Sequence, residues 1–232
     1  MTSFIQEVNM SDIIYDYIND YIREIIPDSS GLLGQIEREA EKTDLPIISK
    51  EVARMISVLL SIKKPQKILE IGTAVGYSAI LMSQYLQEGG QILTIERYDV
   101  MYNAAKENIQ KAGLENTIYL IEKDAEEVLP NLEDSFDVIF LDAAKGQYNN
   151  FLPHCLRLLK EDGLLIADNV LHKGTVAKLR YDVPRRQRTI HKRMRNFLWE
   201  IIHNEDLESC ILPIGDGVAL CYKKTNKAEL KG

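Results

Sequence analysis

Three short segments hold the side chains of this chain best suited to chemistry. They are Leu69-Glu70-Ile71-Gly72-Thr73-Ala74-Val75-Gly76-Tyr77-Ser78, Leu141-Asp142-Ala143-Ala144-Lys145 and Ala167-Asp168-Asn169. Each follows an apolar run that reads as a buried parallel strand, so each sets its polar residues at a strand's carboxyl end. In an open parallel sheet those ends share one edge, and ligands bind along it. Asp142, Asp168 and Asn169 offer oxygen donors only, which suit Mg2+, Mn2+ or Ca2+ better than zinc. A bound ion of that kind can be chelated by an acceptor with two adjacent oxygens, lowering the pKa of its hydroxyl and fixing its orientation. Lys145, three residues past Asp142, can reach the same oxygen as a general base. Taken singly, each acid could simply cap the segment that follows it. Their matched strand-end positions favour a metal. His172 reads as part of a pocket wall rather than as a fourth ligand.

The turn Gly72-x-x-x-Gly76 lies between a strand and a helix, where backbone approaches a ligand because glycine has no β-carbon. It is neither the dinucleotide G-x-G-x-x-G pattern nor a P-loop. Glu70 precedes it, and Glu96 ends the next strand, where a carboxylate can accept both hydroxyls of a ribose. Carboxylates there disfavour a phosphate and tolerate a cationic nucleoside. S-adenosylmethionine, with its sulfonium and ammonium groups, fits.

The elements that must hold these residues follow from periodicity. Ile13, Ile14, Tyr17, Ile18, Tyr21, Ile22 and Ile25 recur at helical spacing, and helices follow over 32–41 and 49–62, separated by a loop at 43–48. From Lys67 the pattern alternates. Strands are expected over 67–72, 91–97, 118–124, 136–143 and 163–169, with helices over 77–86, 98–112, 125–131 and 149–159 between them. That order predicts an α/β fold with a doubly wound, Rossmann-like parallel sheet. A helix over 184–203 precedes two runs, 210–214 and 218–223, joined by Gly215-Asp216-Gly217 as an antiparallel hairpin. No repeat or linker divides the chain, so one domain is expected over 1–232, with a helical cap over 1–65 and a catalytic core over 66–224.

The bulk numbers are ordinary for a soluble globular protein: 232 residues, 45% hydrophobic, 27% charged, net charge −7. The scattered thiols Cys155, Cys210 and Cys221 fit a reducing cytoplasm. No run approaches the ~18 apolar residues of a membrane span, so a cytoplasmic location is expected.

Charge is not spread evenly. Lys178, Arg180, Arg185, Arg186, Arg188, Lys192, Arg193 and Arg195 face one acid, Asp182, giving +7 over 178–195 and leaving −14 on the rest. Arg185, Arg188, Lys192 and Arg195 would line one face of a helix whose other side holds Ile190, Met194, Phe197, Leu198 and Ile201. A solvated face is the common reason for such a run. Its nearness to Asp168 gives a phosphate-bearing substrate equal weight. Aromatics are not interleaved through the strip, which argues against a platform for stacking single-stranded bases.

Taken together, these motifs resemble the cation-dependent, S-adenosylmethionine-dependent O-methyltransferases of catechol and caffeoyl-CoA type. The likeness runs from about Pro46 to Lys223. It is strongest at Glu70–Ser78, Asp142–Lys145, Asp168–Gly174 and Pro213-Ile214-Gly215-Asp216-Gly217. It implies a class I methyltransferase fold, Asp142, Asp168 and Asn169 as ligands of Mg2+ or Mn2+, and Lys145 as catalytic base. It places Glu70, Gly72, Ser78, Glu96, Asp124, Ala125 and Asp142 around S-adenosylmethionine, with Ile48 near its methionine end. The family often carries an aromatic where His172 stands. Family members are commonly dimers, so a homodimer is expected. The arginine-rich helix is similar to that of the bacterial members that methylate 5-hydroxyuridine at the tRNA wobble position. That likeness implies Arg185, Arg186, Arg188 and Lys192 on the phosphates of a tRNA anticodon stem-loop. A small catechol or phenol as substrate is the alternative.

Overall fold

Among the described residues the apolar runs form seven strands: β1 (Lys67–Ile71), β2 (Gln91–Glu96), β3 (Ile118–Glu122), β4 (Phe136–Leu141), β5 (Leu159–Ala167), β6 (Leu207–Leu212) and β7 (Val218–Lys223). They make one sheet in the order β3-β2-β1-β4-β5-β7-β6. The first five are parallel, while β7 runs antiparallel to both β5 and β6. The computed structural model describes residues 13–43 and 45–225. The first twelve residues of the expected N-terminal cap, Asp44 of its loop and the last seven residues of the chain lie outside them.

Eight helices accompany the sheet among the described residues: α1 (Asp16–Ile25), α2 (Gly31–Thr43), α3 (Lys50–Lys63), α4 (Tyr77–Ser83), α5 (Asp99–Lys111), α6 (Ala125–Val128), α7 (Tyr148–Leu158) and α8 (Arg188–His203). Helices cover both faces of the central strands, so β1 and β4 are buried almost throughout instead of alternating. Successive side chains still point to opposite faces. Leu69, Ile71, Ile139 and Leu141 pack with Phe151 and Leu152 of α7 and Phe197 and Ile201 of α8. Ile68, Val138 and Phe140 pack with Ile56 and Leu60 of α3 and Ile80 and Met82 of α4. Met194, Phe197 and Ile201 are fully buried along one stripe of α8. Burying each such side chain contributes roughly 1.5–3 kcal/mol. The helix α1 buries none of its residues. It is tied to α3 by a two-pronged pair, Arg23 Nε to Glu51 at 3.1 Å and Arg23 Nη2 to Glu51 at 2.9 Å.

Several expected bounds need correction: the strand expected over 210–214 is β6, and the helix expected over 125–131 is α6 followed by a 3-10 turn, Leu129–Asn131. The strand expected from Gly163 begins at Leu159, because Lys160-Glu161-Asp162-Gly163 form an irregular stretch of β5 rather than a loop. Asp162 turns there through φ 61°, and its carboxylate accepts from the hydroxyls of Tyr222 and Thr225. The helix expected from Pro184 begins at Arg188; Arg185–Gln187 is a separate 3-10 turn. Ile13 and Ile14 precede α1 instead of joining it.

Candidate active site

Backbone ladders run one residue past the parallel strands and set their tips side by side. The N–H groups of Gly72, Asp142 and Asp168 donate to the carbonyls of Ile95, Ile71 and Leu141, each at 3.0 Å. Gly72 has φ 99°, and a β-carbon there would lie 2.0 Å from the carbonyl oxygen of Asp142. Only glycine lets the first turn approach the second tip so closely. Gly76, at φ 84°, then opens α4.

A cleft of about 330 Å3 lies over these tips. Of the residues expected around the cofactor, Gly72, Glu96, Asp124, Ala125 and Asp142 line it, with apolar walls from Ile71, Ile95 and Phe151. Glu96 is buried, and its carboxylate accepts from the N–H groups of Ala74 (2.9 Å), Arg97 (2.8 Å) and Tyr98 (2.9 Å). The glycine turn is thereby fastened to the tip of β2. Asp124 caps α6 by accepting from the Glu126 amide at 2.9 Å and pairs with Arg97 at 3.1 Å. Those partners hold its carboxyl below the usual range, the Glu126 amide most of all.

Glu70, Ser78 and Ile48 stand elsewhere. Glu70 is fully buried and shares the α4 face of β1 with Ile68. It accepts from Ser78 Oγ and Thr94 Oγ1, each at 2.5 Å, beneath the turn rather than in the cleft. Burial pushes its carboxyl up to about 8, despite those two hydroxyl donors. Ile48 packs in the core with Val52, and Pro46 lines the cleft instead. A separate cavity of about 260 Å3 around Glu37, between α2, α3 and α4, holds none of the strand-tip residues.

Asp142, Asp168 and Asn169 converge. Asn169 Nδ2 donates to Asp142 Oδ1 at 2.8 Å, and the Asn169 N–H donates to Asp168 Oδ1 at 2.7 Å. Asn169 adopts a left-handed backbone, φ 60°, which turns its amide back across the edge. Burial raises the carboxyl of Asp142. Burial first, and then the charge of Asp142, bring Asp168 up to about 7. The buried Asp168 carboxylate and the half-buried Asp142 carboxylate, both with raised pKa and with a carboxamide beside them, fit a hard divalent cation, whose charge would relieve their repulsion. Among the described residues no group of three His, Cys, Asp or Glu side chains is placed to hold a metal, so the carboxamide is needed to complete the set.

Lys145 opens a 3-10 turn after β4. Its Nζ donates to Asp216 Oδ2 at 3.1 Å and lies 3.4 Å from His172 Nδ1. Burial, and then the charge of Lys145, lower the His172 pKa. Two further contributors were given no role at the site by the sequence. Asp216 was legible as a turn residue and as part of the Pro213–Gly217 motif, without a role. Tyr148, fully buried in α7, donates to the Asp168 carbonyl at 2.9 Å and packs edge-to-face on Phe197 at 5.4 Å.

The basic strip is divided. Arg188 Nε donates to the Val183 carbonyl (3.0 Å), Arg193 Nη1 to Gly146 (2.8 Å) and Arg195 Nη1 to Val176 (3.1 Å). These three pin loops to α8, and Arg185 lies in the 3-10 turn before that helix, so of the face expected for 185, 188, 192 and 195 the helix itself carries the last three. Lys178, Arg180, Arg185, Arg186, Lys192, Arg193 and Arg195 are exposed, and Arg188 is half-buried. Tyr181, 88% exposed, stands among them as the one aromatic of the strip over 178–195.

A parallel sheet with an antiparallel C-terminal pair, a glycine turn and acidic strand tips beneath a nucleoside-sized cleft define a class I methyltransferase. The O-methyltransferase family model matches residues 23–224, and the chain belongs to that family. It is similar to a catechol O-methyltransferase of Niastella koreensis, 31% identical over 72% of this chain and 78% of the relative. It is also similar to caffeoyl-CoA O-methyltransferase 1 of Zea mays, 33% identical over 92% and 85%. Among solved structures, a Staphylococcus aureus protein provisionally named a caffeoyl-CoA O-methyltransferase superposes with TM-score 0.82 at 31% identity, over 90% of this chain and all of that one. An SAH-bound methyltransferase of Podospora anserina shares the fold, with TM-score 0.81 at 24% identity over 97% and 99%. No helix among the described residues is long and apolar enough to cross a membrane.

Proposed function

We propose that this chain transfers a methyl group from S-adenosylmethionine to one oxygen of a vicinal pair on a small catechol or phenol, assisted by Mg2+ or Mn2+. The convergence of Asp142, Asp168 and Asn169 beside Lys145, at the end of a cleft sized for a nucleoside, carries this reading. The names of the catechol and caffeoyl-CoA relatives support it.

Gly72 and Ala74 let the nucleoside approach the backbone, and Glu96 offers its carboxylate to the ribose. Ile71, Ile95, Ala125 and Phe151 exclude water from the apolar part of the cleft. Asp142, Asp168 and Asn169 would hold the divalent ion. When bound, the ion supplies Lewis-acid polarisation of the acceptor oxygens and the cofactor an electrophilic methyl group. Lys145 takes the acceptor's hydroxyl proton onto Nζ. Asp142 lines the cleft and is also the partner of Asn169, so it fixes the distance between donor and acceptor. The test is methylation of 3,4-dihydroxybenzoate with S-adenosylmethionine and Mg2+. Turnover should vanish in excess chelator and in Asp142→Ala; full turnover under chelation would overturn the reading.

A second reading rests on the outward cations. Lys178, Arg180, Arg185, Arg186 and Lys192, with Tyr181 among them, support a phosphate-bearing acceptor such as 5-hydroxyuridine in a tRNA anticodon stem-loop. In that nucleoside O5 and O4 are neighbours, like the two oxygens of a catechol. Arg188 is left out of the test because it holds the loop. Serine at Arg185, Arg186 and Lys192 should abolish tRNA methylation and spare catechol turnover; unchanged tRNA methylation removes this reading. The exposed Tyr17, Tyr21 and Ile25 of α1 support the expected homodimer, which sedimentation would test.

A further inference from the structure

Three segments far apart in the chain meet at one carboxylate. Asp216 sits in the turn between β6 and β7, flanked by Gly215 at φ 56° and Gly217 at φ 87°. A β-carbon on Gly217 would lie 2.4 Å from Leu171 Cγ, so the turn is pressed against the loop that follows β5. Backbone bonds fasten the two: Val170 N–H to the Gly217 carbonyl at 2.9 Å and Leu171 N–H to the Asp216 carbonyl at 3.0 Å. One carboxylate oxygen of Asp216 accepts from the N–H of Lys173, and the other accepts from Lys145 Nζ at 3.1 Å. The side chains of Asp216 and Lys145 are only 20% and 23% exposed.

The two segments so joined both need an outside hold. The loop carries Asn169, His172 and Lys173 in left-handed backbone, at φ 60°, 47° and 53°, where residues with a β-carbon are strained. Lys145 stands on a single 3-10 turn, and its long, freely rotating stem has no fixed direction of its own. His172 at 3.4 Å offers only a weak contact to it. Asp142 and Asp168 attract it from a distance without a hydrogen bond.

We propose that Asp216 is the positioning residue of the site: it aims Lys145 at the acceptor oxygen and locks the lysine to the loop that carries Asn169. The inference rests on the role given to Lys145 in the proposed function. Asp216 acts through Lys145 and the loop and touches neither substrate nor cofactor.

Asp216→Asn tests it. An amide has one acceptor oxygen, so whichever way it turns, it meets one of the two donors with a donor of its own. The variant is compared in the native and the Lys145→Ala backgrounds, with 3,4-dihydroxybenzoate, S-adenosylmethionine and Mg2+. In the native background kcat should fall by roughly tenfold or more. The affinity for S-adenosylmethionine, by calorimetry, should stay within about twofold, because Asp216 does not line the cleft. In the Lys145→Ala background Asp216→Asn should cost nothing further, the signature of two residues acting as one unit. Equal losses in both backgrounds, with a matching fall in melting temperature, would make Asp216 a structural residue and overturn the inference. Undiminished turnover of Lys145→Ala alone would overturn it too, by removing the base itself; that failure belongs to the proposed function and is read from the single variant.

Discussion

Gly72→Ala is the sharpest probe of how the strand tips are assembled. The new β-carbon would meet the Asp142 carbonyl oxygen at 2.0 Å, whereas real contacts essentially never fall below 3.0 Å. The two backbones must therefore part by at least about 1 Å, a shift that a flexible side chain could absorb but a carbonyl in a sheet ladder cannot. The φ of 99° adds to the cost, since an L side chain is strained there. Overpacking of this kind costs about 1–3 kcal/mol and the backbone strain about 1–3 kcal/mol more. A loss of about 3 kcal/mol lowers the melting temperature of a chain this long by roughly 6–12 °C. The functional loss should be larger, because a 1 Å misplacement near the reacting groups can cost about 100-fold in rate. Asp142 moves with its own carbonyl, so divalent-ion affinity should fall alongside turnover. Thermal unfolding, calorimetry with Mg2+ and methyl transfer to 3,4-dihydroxybenzoate read the three effects. A variant melting within about 2 °C of the parent and turning over at the same rate would show that the close approach of these tips does not matter.

Other consequences follow from the buried acids and from Tyr148. Tyr148→Phe leaves the Asp168 carbonyl without its 2.9 Å donor; it should cost about 1 kcal/mol, seen as a fall of roughly 3 °C in melting temperature, and an unchanged melt would refute that role. Glu70 is raised to about 8 by burial, so its folded form binds a proton more tightly than its unfolded form. Its destabilising effect therefore grows as pH climbs from about 4.5 to beyond about 8. Glu70→Gln should remove that slope and be at least as stable as the parent at pH 9 in urea titrations; a less stable variant there would contradict it. Asp168, raised to about 7, follows the same sign. Without metal the contribution of Asp168 to stability should fall as pH rises from about 4 through 7, and added Mg2+ should raise the melting temperature more at pH 8 than at pH 5. A metal-induced shift independent of pH would argue against these carboxylates as the ligands.

The chain reads well wherever a local pattern has one physical solution. Continuous apolar runs alternating with helical periods leave little choice but a parallel sheet covered on both faces, and so Asp142, Asp168 and Asn169 could be set on one edge from sequence alone. The hairpin of β6 and β7 was legible from its glycine turn. Helix bounds were less so: the basic run reads as helical from Pro184, yet Arg185–Gln187 winds as a 3-10 turn.

Tertiary structure decided which of several polar residues face the cleft and which face the core. Glu70 and Glu96 both end apolar runs on neighbouring strands. Glu96 lines the cleft, while Glu70 points under α4 to meet Ser78. Arg188, Arg193 and Arg195 keep their charge, but the fold turns a guanidinium donor of each onto a loop carbonyl, which no local pattern records. Asp216 is 71 residues from the lysine it holds. Periodicity records which face of an element is apolar, because that depends on neighbours within one or two turns. It holds no record of partners brought together by packing distant segments, and those partners orient the groups at this site.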